Sequence, residues 1–331
     1  MKNSRFPSLV ARLGVLMGFA GTVLACNVPV FRYALERWHA DDYVLEMPDT
    51  ARALAAKIEA LRDDRALNFE ISGRGAASAR LLFPFEESSA AWTGELNDES
   101  LGALVDSPVR RDLARRLLAG DTAVWVLVES GRKGEDDALA ARLETRLRHL
   151  ESVTKLPVPD PNDPDDRIGP GPPLMLKFSV LRVRRDDAAE AVLVAMLRGP
   201  WSQRHPPAGQ AFVAPVFGRG RVLGTLAGDH LTNEKLDEAC QFLTGACSCE
   251  VKSLNPGWDL LMGVDWEREL RSQAPGGSAA AAGTAPAVET VTFQPSVAPP
   301  PARPPRSLIL SVAAMLFAGA AWFMWSRRIR R

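Results

Sequence analysis

The chain has 331 residues, with 40 Lys and Arg balanced by 40 Asp and Glu, so it carries no overall basic field that would draw nucleic acid. Hydrophobic residues at 46% and charged residues at 24% form an ordinary globular balance, and the length sets two domains as the prior.

Met1–Ala25 has the layout of an export signal. Lys2, Arg5 and Arg12 make a basic start, and Leu13–Ala25 is an apolar run ending in small residues. Cleavage before Cys26 is the expectation. The sequence Val23-Leu24-Ala25-Cys26 is also a loose lipobox, which leaves lipidation of Cys26 and an uncleaved anchor open.

The body alternates helix-like and strand-like patterns. Pro29–Trp38 reads as a helix and Tyr43–Met47 as a short strand. Thr50–Leu61 reads as a helix with Leu54, Ile58 and Leu61 on one face. Ala66–Ile71 reads as a strand, and Arg80–Phe85 with Ala91–Leu96 as a hairpin. Pro108–Leu118 is an expected helix closed by Gly120. Thr122–Glu129 is the strongest buried-strand pattern in the chain. Glu135–Leu150 keeps Leu139, Leu143, Leu147 and Leu150 in register, with an acidic start and a basic end that suit the helix dipole.

Pro157–Pro173 is a loop rich in Pro and Asp. Leu174–Val183 reads as a strand, and Asp187–Arg198 as a helix with Asp187 and Glu190 as a capping box, stopped by Gly199-Pro200. Gln210–Phe217 and Arg221–Ala227 form an expected hairpin around Gly218-Arg219-Gly220. Asn233–Leu243 reads as a helix and Cys249–Ser253 as one more strand. From Gln273 to Arg306 the composition shifts to Ala, Pro, Gly, Ser and Thr, the mark of a linker.

Leu308–Ser326 then runs about nineteen residues without a charge, roughly 28 Å of helix at ~1.5 Å per residue, and four arginines follow. The expectation is a transmembrane helix over 307–326 with a basic cytoplasmic tail, 327–331. Together with the export signal it implies a single-pass membrane protein whose body is extracytoplasmic and whose C-terminus is cytoplasmic. A clipped sorting signal is the other reading of this tail.

Thr122–Leu243 runs strand, helix, strand, helix, strand, strand, helix. In that order, and in AFVAPVFGRGRVLGTLAGDHLTNEKLDEACQFL, the segment resembles the thioredoxin-like fold, without an intact Cys-x-x-Cys. The resemblance implies a cis proline near Pro215. The pattern recurs in the first half, where Phe83-Pro84-Phe85, a hairpin and a helix ending Leu118-Ala119-Gly120 parallel Pro215-Val216-Phe217 and a helix ending Leu243-Thr244-Gly245. The expected fold is therefore α/β, two tandem thioredoxin-like domains over 26–120 and 121–272, against a single mixed α/β body as the alternative. Through ACNVPVFRYALERW and PVFGRGR the body also resembles uncharacterised exported, membrane-anchored bacterial proteins, which bring no activity with them.

Thioredoxin-like chemistry needs a thiol at the first strand–helix junction, where the helix N-terminus lowers its pKa. In the second half that junction is Gly131-Arg132-Lys133-Gly134, with no cysteine. In the first half Cys26-Asn27-Val28-Pro29 offers a single thiol, Cys26, as a redox candidate. Cys26, Cys240, Cys247 and Cys249 are candidates for disulfides, with three pairings open. The pair Cys247 and Cys249, as Cys-x-Cys, could alternatively hold Cu(I). Asp160–Asp166 is read as a solvated acidic loop rather than a calcium site. His39, His149, His205 and His230 do not pair at ligand or triad spacing. Trp258 and Trp266 are expected to seal a core edge or to face a partner.

The function these features suggest is a redox-silent, membrane-tethered scaffold that binds an envelope protein, with no cofactor and no catalytic residue. The competing expectation is an extracytoplasmic thiol–disulfide or copper-handling protein using Cys26 or Cys247 and Cys249.

Overall fold

The computed structural model describes residues 27–73, 77–203, 205–247 and 251–273. The expected signal segment, Cys26, Cys249, the linker after Gln273 and the span at 307–326 lie outside them. Among the described residues no helix is long and apolar enough to cross a membrane.

Helix α1 (Val30–Arg37) begins behind Pro29, whose φ of −58° suits a helix start. Val30, Phe31, Tyr33, Ala34 and Leu35 are all buried, so α1 is enclosed rather than amphipathic. Strand β1 (Tyr43–Glu46) follows, then a 3-10 turn at Asp49–Leu54, α2 (Ala55–Arg65) and β2 (Phe69–Ser72). Ala66 ends α2 in the left-handed region at φ 49°. Strands β3 (Ala79–Phe83) and β4 (Glu86–Gly94) form a hairpin across Pro84-Phe85. Its turn is tighter than expected, because Glu86–Ser89 continue the strand. Two helices then follow in close succession, α3 (Asp98–Val105) and α4 (Pro108–Leu118). Helix α3 was not anticipated, yet Asn97 and Ser100 close a reciprocal capping box at its start.

The second half holds β5 (Ala123–Val128), α5 (Lys133–Val153), β6 (Phe178–Val183), α6 (Ala191–Arg198), β7 (Phe212–Phe217), β8 (Arg221–Val222), β9 (Leu226–Ala227), α7 (Asn233–Thr244), β10 (Trp258–Asp259) and α8 (Trp266–Ser272). The expected strand Arg221–Ala227 is split. Leu223 N–H donates to Pro215 O at 3.0 Å, but Pro215 has no N–H to return to Leu223, and the β7–β8 ladder stops there. Strand β9 then pairs with Phe212 and Val213. No cis peptide occurs among the described residues, so Pro215 is trans, opposite Trp125 in mid-strand.

The first sheet has the order β2-β1-β3-β4, and the second β10-β8-β7-β5-β6 with β9 on β7. In each, the first strand in sequence pairs parallel with the second and antiparallel with the third. Strand β5 is buried on both faces. Val124, Val126 and Val128 point into a core shared with Tyr43, Leu45, Leu81 and Phe83 of the first sheet and with Leu193 and Met196 of α6. Ala123, Trp125 and Leu127 point into a second core with α1, α5 and α7. The expected fold, tandem thioredoxin-like units with a C-terminal span, is corrected: the described residues form an α/β body whose two mixed sheets share one core, because the side chains of β5 and the first sheet bury each other, and no described helix is long and apolar enough to cross a membrane.

Trp258 and Trp266 are both buried, and Trp258 Nε1 donates to Met196 O at 2.8 Å, closing a core edge. The open edge of β6 is blunted. Glu151 accepts the Phe178 N–H at 2.5 Å and Arg116 Nη1 donates to Val180 O at 3.2 Å, which takes up outward-facing backbone groups that could template another strand.

Candidate functional site

A concavity of about 680 Å³ lies between α4, the end of α2 and the segment Met262–Gln273 that carries α8. Its origin is helical periodicity. On α4, Arg110, Arg111, Ala114, Arg115, Leu118 and Ala119 recur at the spacing of one face, while Leu113 and Leu117 turn into the core. Pro108 at the first helical position and the Ser107 cap set where α4 starts, and so which residues face the groove. The opposite wall is pinned to the two residues that lead into β2. Gly263 bridges to Leu67, and Met262 N–H donates to Asn68 Oδ1 at 3.0 Å. A Cβ on Gly263 would approach Leu67 Cδ2 at 3.3 Å, so this wall packs tightly beside the groove.

Arg110 ties the floor together from a buried position. Its Nε donates to Ser107 Oγ, its Nη1 to Leu104 O at 2.7 Å and Leu261 O at 3.4 Å, and its Nη2 to Ala103 O at 2.5 Å. It thereby closes the C-terminal carbonyls of α3 and joins α3, α4 and the C-terminal segment. Burial pulls its pKa down to about 10, against the pull of Asp106 and Glu190, so the guanidinium stays charged at neutral pH.

The groove has an apolar floor (Ala114, Leu118, Met262, Val264) and a charged rim. Arg111 is taken by Asp106 at 2.5 Å and Arg115 by Asp112. Arg65 sits 3.6 Å from Asp106, and Arg268 sits 3.4 Å from Glu269 and 4.0 Å from Asp265. Such exposed, loosely paired charges contribute ~0–1 kcal/mol each, so they can exchange partners at little cost. Chemically the lining supplies aliphatic surface, guanidinium donors and carboxylate acceptors. The signal for it in sequence was the run Arg110–Arg116, whose four arginines the fold sends in three directions: Arg110 inward, Arg116 to the β6 edge, Arg111 and Arg115 to the groove.

The residues singled out in the sequence lie elsewhere. Cys240 and Cys247 are both buried, and burial, with the Asp237 carboxylate, pushes Cys240 up to about 12. Cys26 and Cys249 lie outside the described residues. At the β5–α5 junction an internal carboxylate holds the loop. Asp136, 2% exposed, accepts from Ser130 N at 2.9 Å, Ser130 Oγ at 2.9 Å and Gly131 N at 3.0 Å. Among the described residues no group of three or more His, Cys, Asp or Glu is placed to hold a metal ion.

The acidic loop is only partly solvated. Asp166 is buried and accepts from Asn27 N at 2.5 Å, Asn27 Nδ2 at 2.9 Å and Asp160 N at 2.7 Å. Arg32 reinforces that clamp, donating to Pro172 O at 2.5 Å and Gly169 O at 3.1 Å. Gly218-Arg219-Gly220-Arg221 is a turn, as read, but both arginines are buried. Arg219 donates to Leu35 O and Glu36 O, each at 2.8 Å, and so caps α1.

No protein-family model, curated protein or solved structure matches this chain. The resemblance to thioredoxin-like and exported, membrane-anchored bacterial proteins is corrected accordingly. No described helix can cross a membrane, so the membrane as partner, the envelope scaffold and the single-pass, extracytoplasmic localisation are not carried forward. The thiol–disulfide or copper alternative is not supported either: no cysteine stands at the β5–α5 junction and no metal cluster occurs among the described residues, while Cys26 and Cys249, on which it rests, lie outside them.

Proposed function

We propose that this protein is a non-covalent binding protein for a small organic ligand, held in the groove between α4, the end of α2 and the Met262–Gln273 segment. The supporting observation is the groove itself: about 680 Å³, with an apolar floor beneath a rim of re-pairable charges. Ligand sites are concave, mostly apolar and carry a few convergent polar groups, and volumes of roughly 300–1,000 Å³ are usual for them. The buried Arg110 adds a rigid floor, since its donors join three segments and hold the shape before a ligand arrives. The lining chemistry suits holding a molecule rather than forming a covalent bond to it.

The test is a methyl-NMR titration of the full chain with a neutral amphiphile, decanol. The methyls of Leu118, Met262 and Val264 are expected to shift together and saturably. In Ala119→Trp, where an indole on an exposed lining position fills the mouth, the shifts are expected to vanish while the fold stays intact. Decanol shifts that survive that block, or no shifts at these methyls in the unaltered chain, would overturn the reading.

A further inference from the structure

The inference rests on the binding function just proposed and concerns the shape of the molecule held. We propose that the groove between α4, the end of α2 and the Met262–Gln273 segment takes a planar aromatic molecule, whose ring the flat faces of Arg111 and Arg115 cover.

Unmatched charge is not what the rim offers. Arg110 is turned inward and spent on Ser107 Oγ and the carbonyls of Leu104, Leu261 and Ala103. The other lining guanidiniums, on Arg65, Arg111, Arg115 and Arg268, each have a carboxylate of this chain within 3.6 Å. What those pairs leave open follows from the shape of the group. The N–H bonds of a guanidinium lie in its plane, so a carboxylate takes an edge and leaves the faces free. Arg115 turns its Nε and Nη2 edge to Asp112 Oδ1, with Nε at 3.1 Å, and Arg111 gives Nη1 to Asp106 Oδ2 at 2.5 Å. Both side chains remain more than half exposed, at 61% for Arg111 and 69% for Arg115.

The two arginines stand one turn apart on α4, and Ala114 and Leu118 share their face of the helix. Guanidinium faces beside an apolar strip suit a π system, which gains a cation–π contact beyond the area it buries. A saturated molecule of the same outline buries as much surface and gains nothing from those faces. A stacked ring also leaves the ion pairs intact, because it does not compete for the N–H groups. Met262 adds a polarisable thioether to the lining, a further favourable neighbour for a ring.

Calorimetric titrations of the full chain with naphthylmethanol and decahydronaphthylmethanol compare one carbon skeleton with and without π electrons. Naphthylmethanol is expected to bind at least about threefold more tightly, although the saturated ring has more apolar surface to bury. The double variant Arg111→Lys/Arg115→Lys keeps both charges and removes both planar faces. In it the aromatic preference should disappear while the affinity for decahydronaphthylmethanol stays unchanged. Equal or tighter binding of the saturated ring, or an aromatic preference that survives the lysine variant, would overturn the planar class and leave the groove reading standing. Absence of binding by both rings while decanol binds would do the same. Absence of binding by all three would overturn both.

Discussion

Asp136 accepts both the backbone N–H and the hydroxyl of Ser130 at 2.9 Å, and with them the N–H of Gly131. One buried carboxylate on the first turn of α5 thereby closes the loop leaving β5. Asp136→Ala would strand these donors and is expected to cost about 2–3 kcal/mol of stability in urea denaturation. Asp136→Asn keeps an acceptor oxygen and is expected to cost less. Equal midpoints for Asp136→Ala and the unaltered chain would show that the loop does not depend on this carboxylate.

Arg219 extends the same principle to α1. Its guanidinium reaches Leu35 O, Glu36 O and Glu267 Oε1 from a turn whose Gly218, at φ +58°, lies so close to α1 that a Cβ would come within 2.8 Å of the Ala34 Cβ. Arg219→Lys cannot reproduce the fork, and a loss of about 2–4 kcal/mol is expected. Glu267 is 47% exposed, so Glu267→Gln is expected to cost less than ~1 kcal/mol. The reverse ranking in thermal denaturation would mean that the ion pair, and not the helix cap, holds this junction.

Cys240 makes stability depend on alkaline pH. The thiol ionises near 9.0 when unfolded and near 12 when folded, chiefly because burial disfavours the thiolate. Between these values the unfolded chain binds fewer protons than the native one, so stability is fully present below about pH 9 and falls as pH rises towards 12. Cys240→Ala should flatten that part of the pH–stability profile. Native Cys240 should also resist iodoacetamide at pH 8, and rapid alkylation there, read by intact mass, would contradict the buried, protonated thiol.

Phe85 is the most exposed large hydrophobic residue among those described, at 93%, and holds φ at 60° in the β3–β4 turn. A non-glycine residue there is strained while its ring buries almost nothing. Phe85→Gly is expected to raise stability by ~0.5–1 kcal/mol. A lower melting temperature would show that the ring contributes contacts.

Local pattern carried far where its cause was local. Leu139, Leu143, Leu147 and Leu150 mark α5, the apolar run Thr122–Glu129 marks β5, and Pro108 with Ser107 marks the start of α4, because periodicity, burial and capping act within a few residues. Glu190 shows where that reasoning stops. Read as half of a capping box with Asp187, it instead sends Oε1 across the molecule to Val109 N–H at 2.8 Å, while Asp187 caps Ala189 alone. The groove was equally hidden, because its lining draws on Arg65, Leu118 and Val264, residues far apart in the chain that meet only when Gly263 pairs with Leu67.

The amino-acid order on its own determined which stretches become helices and strands, since backbone preference and apolar spacing operate along the chain. Tertiary structure alone decided which charges are buried locks (Arg110, Asp136, Asp166, Arg219) and which stay free to exchange on a rim (Arg65, Arg268). Desolvation and partner distance arise between segments, and no local spacing encodes them.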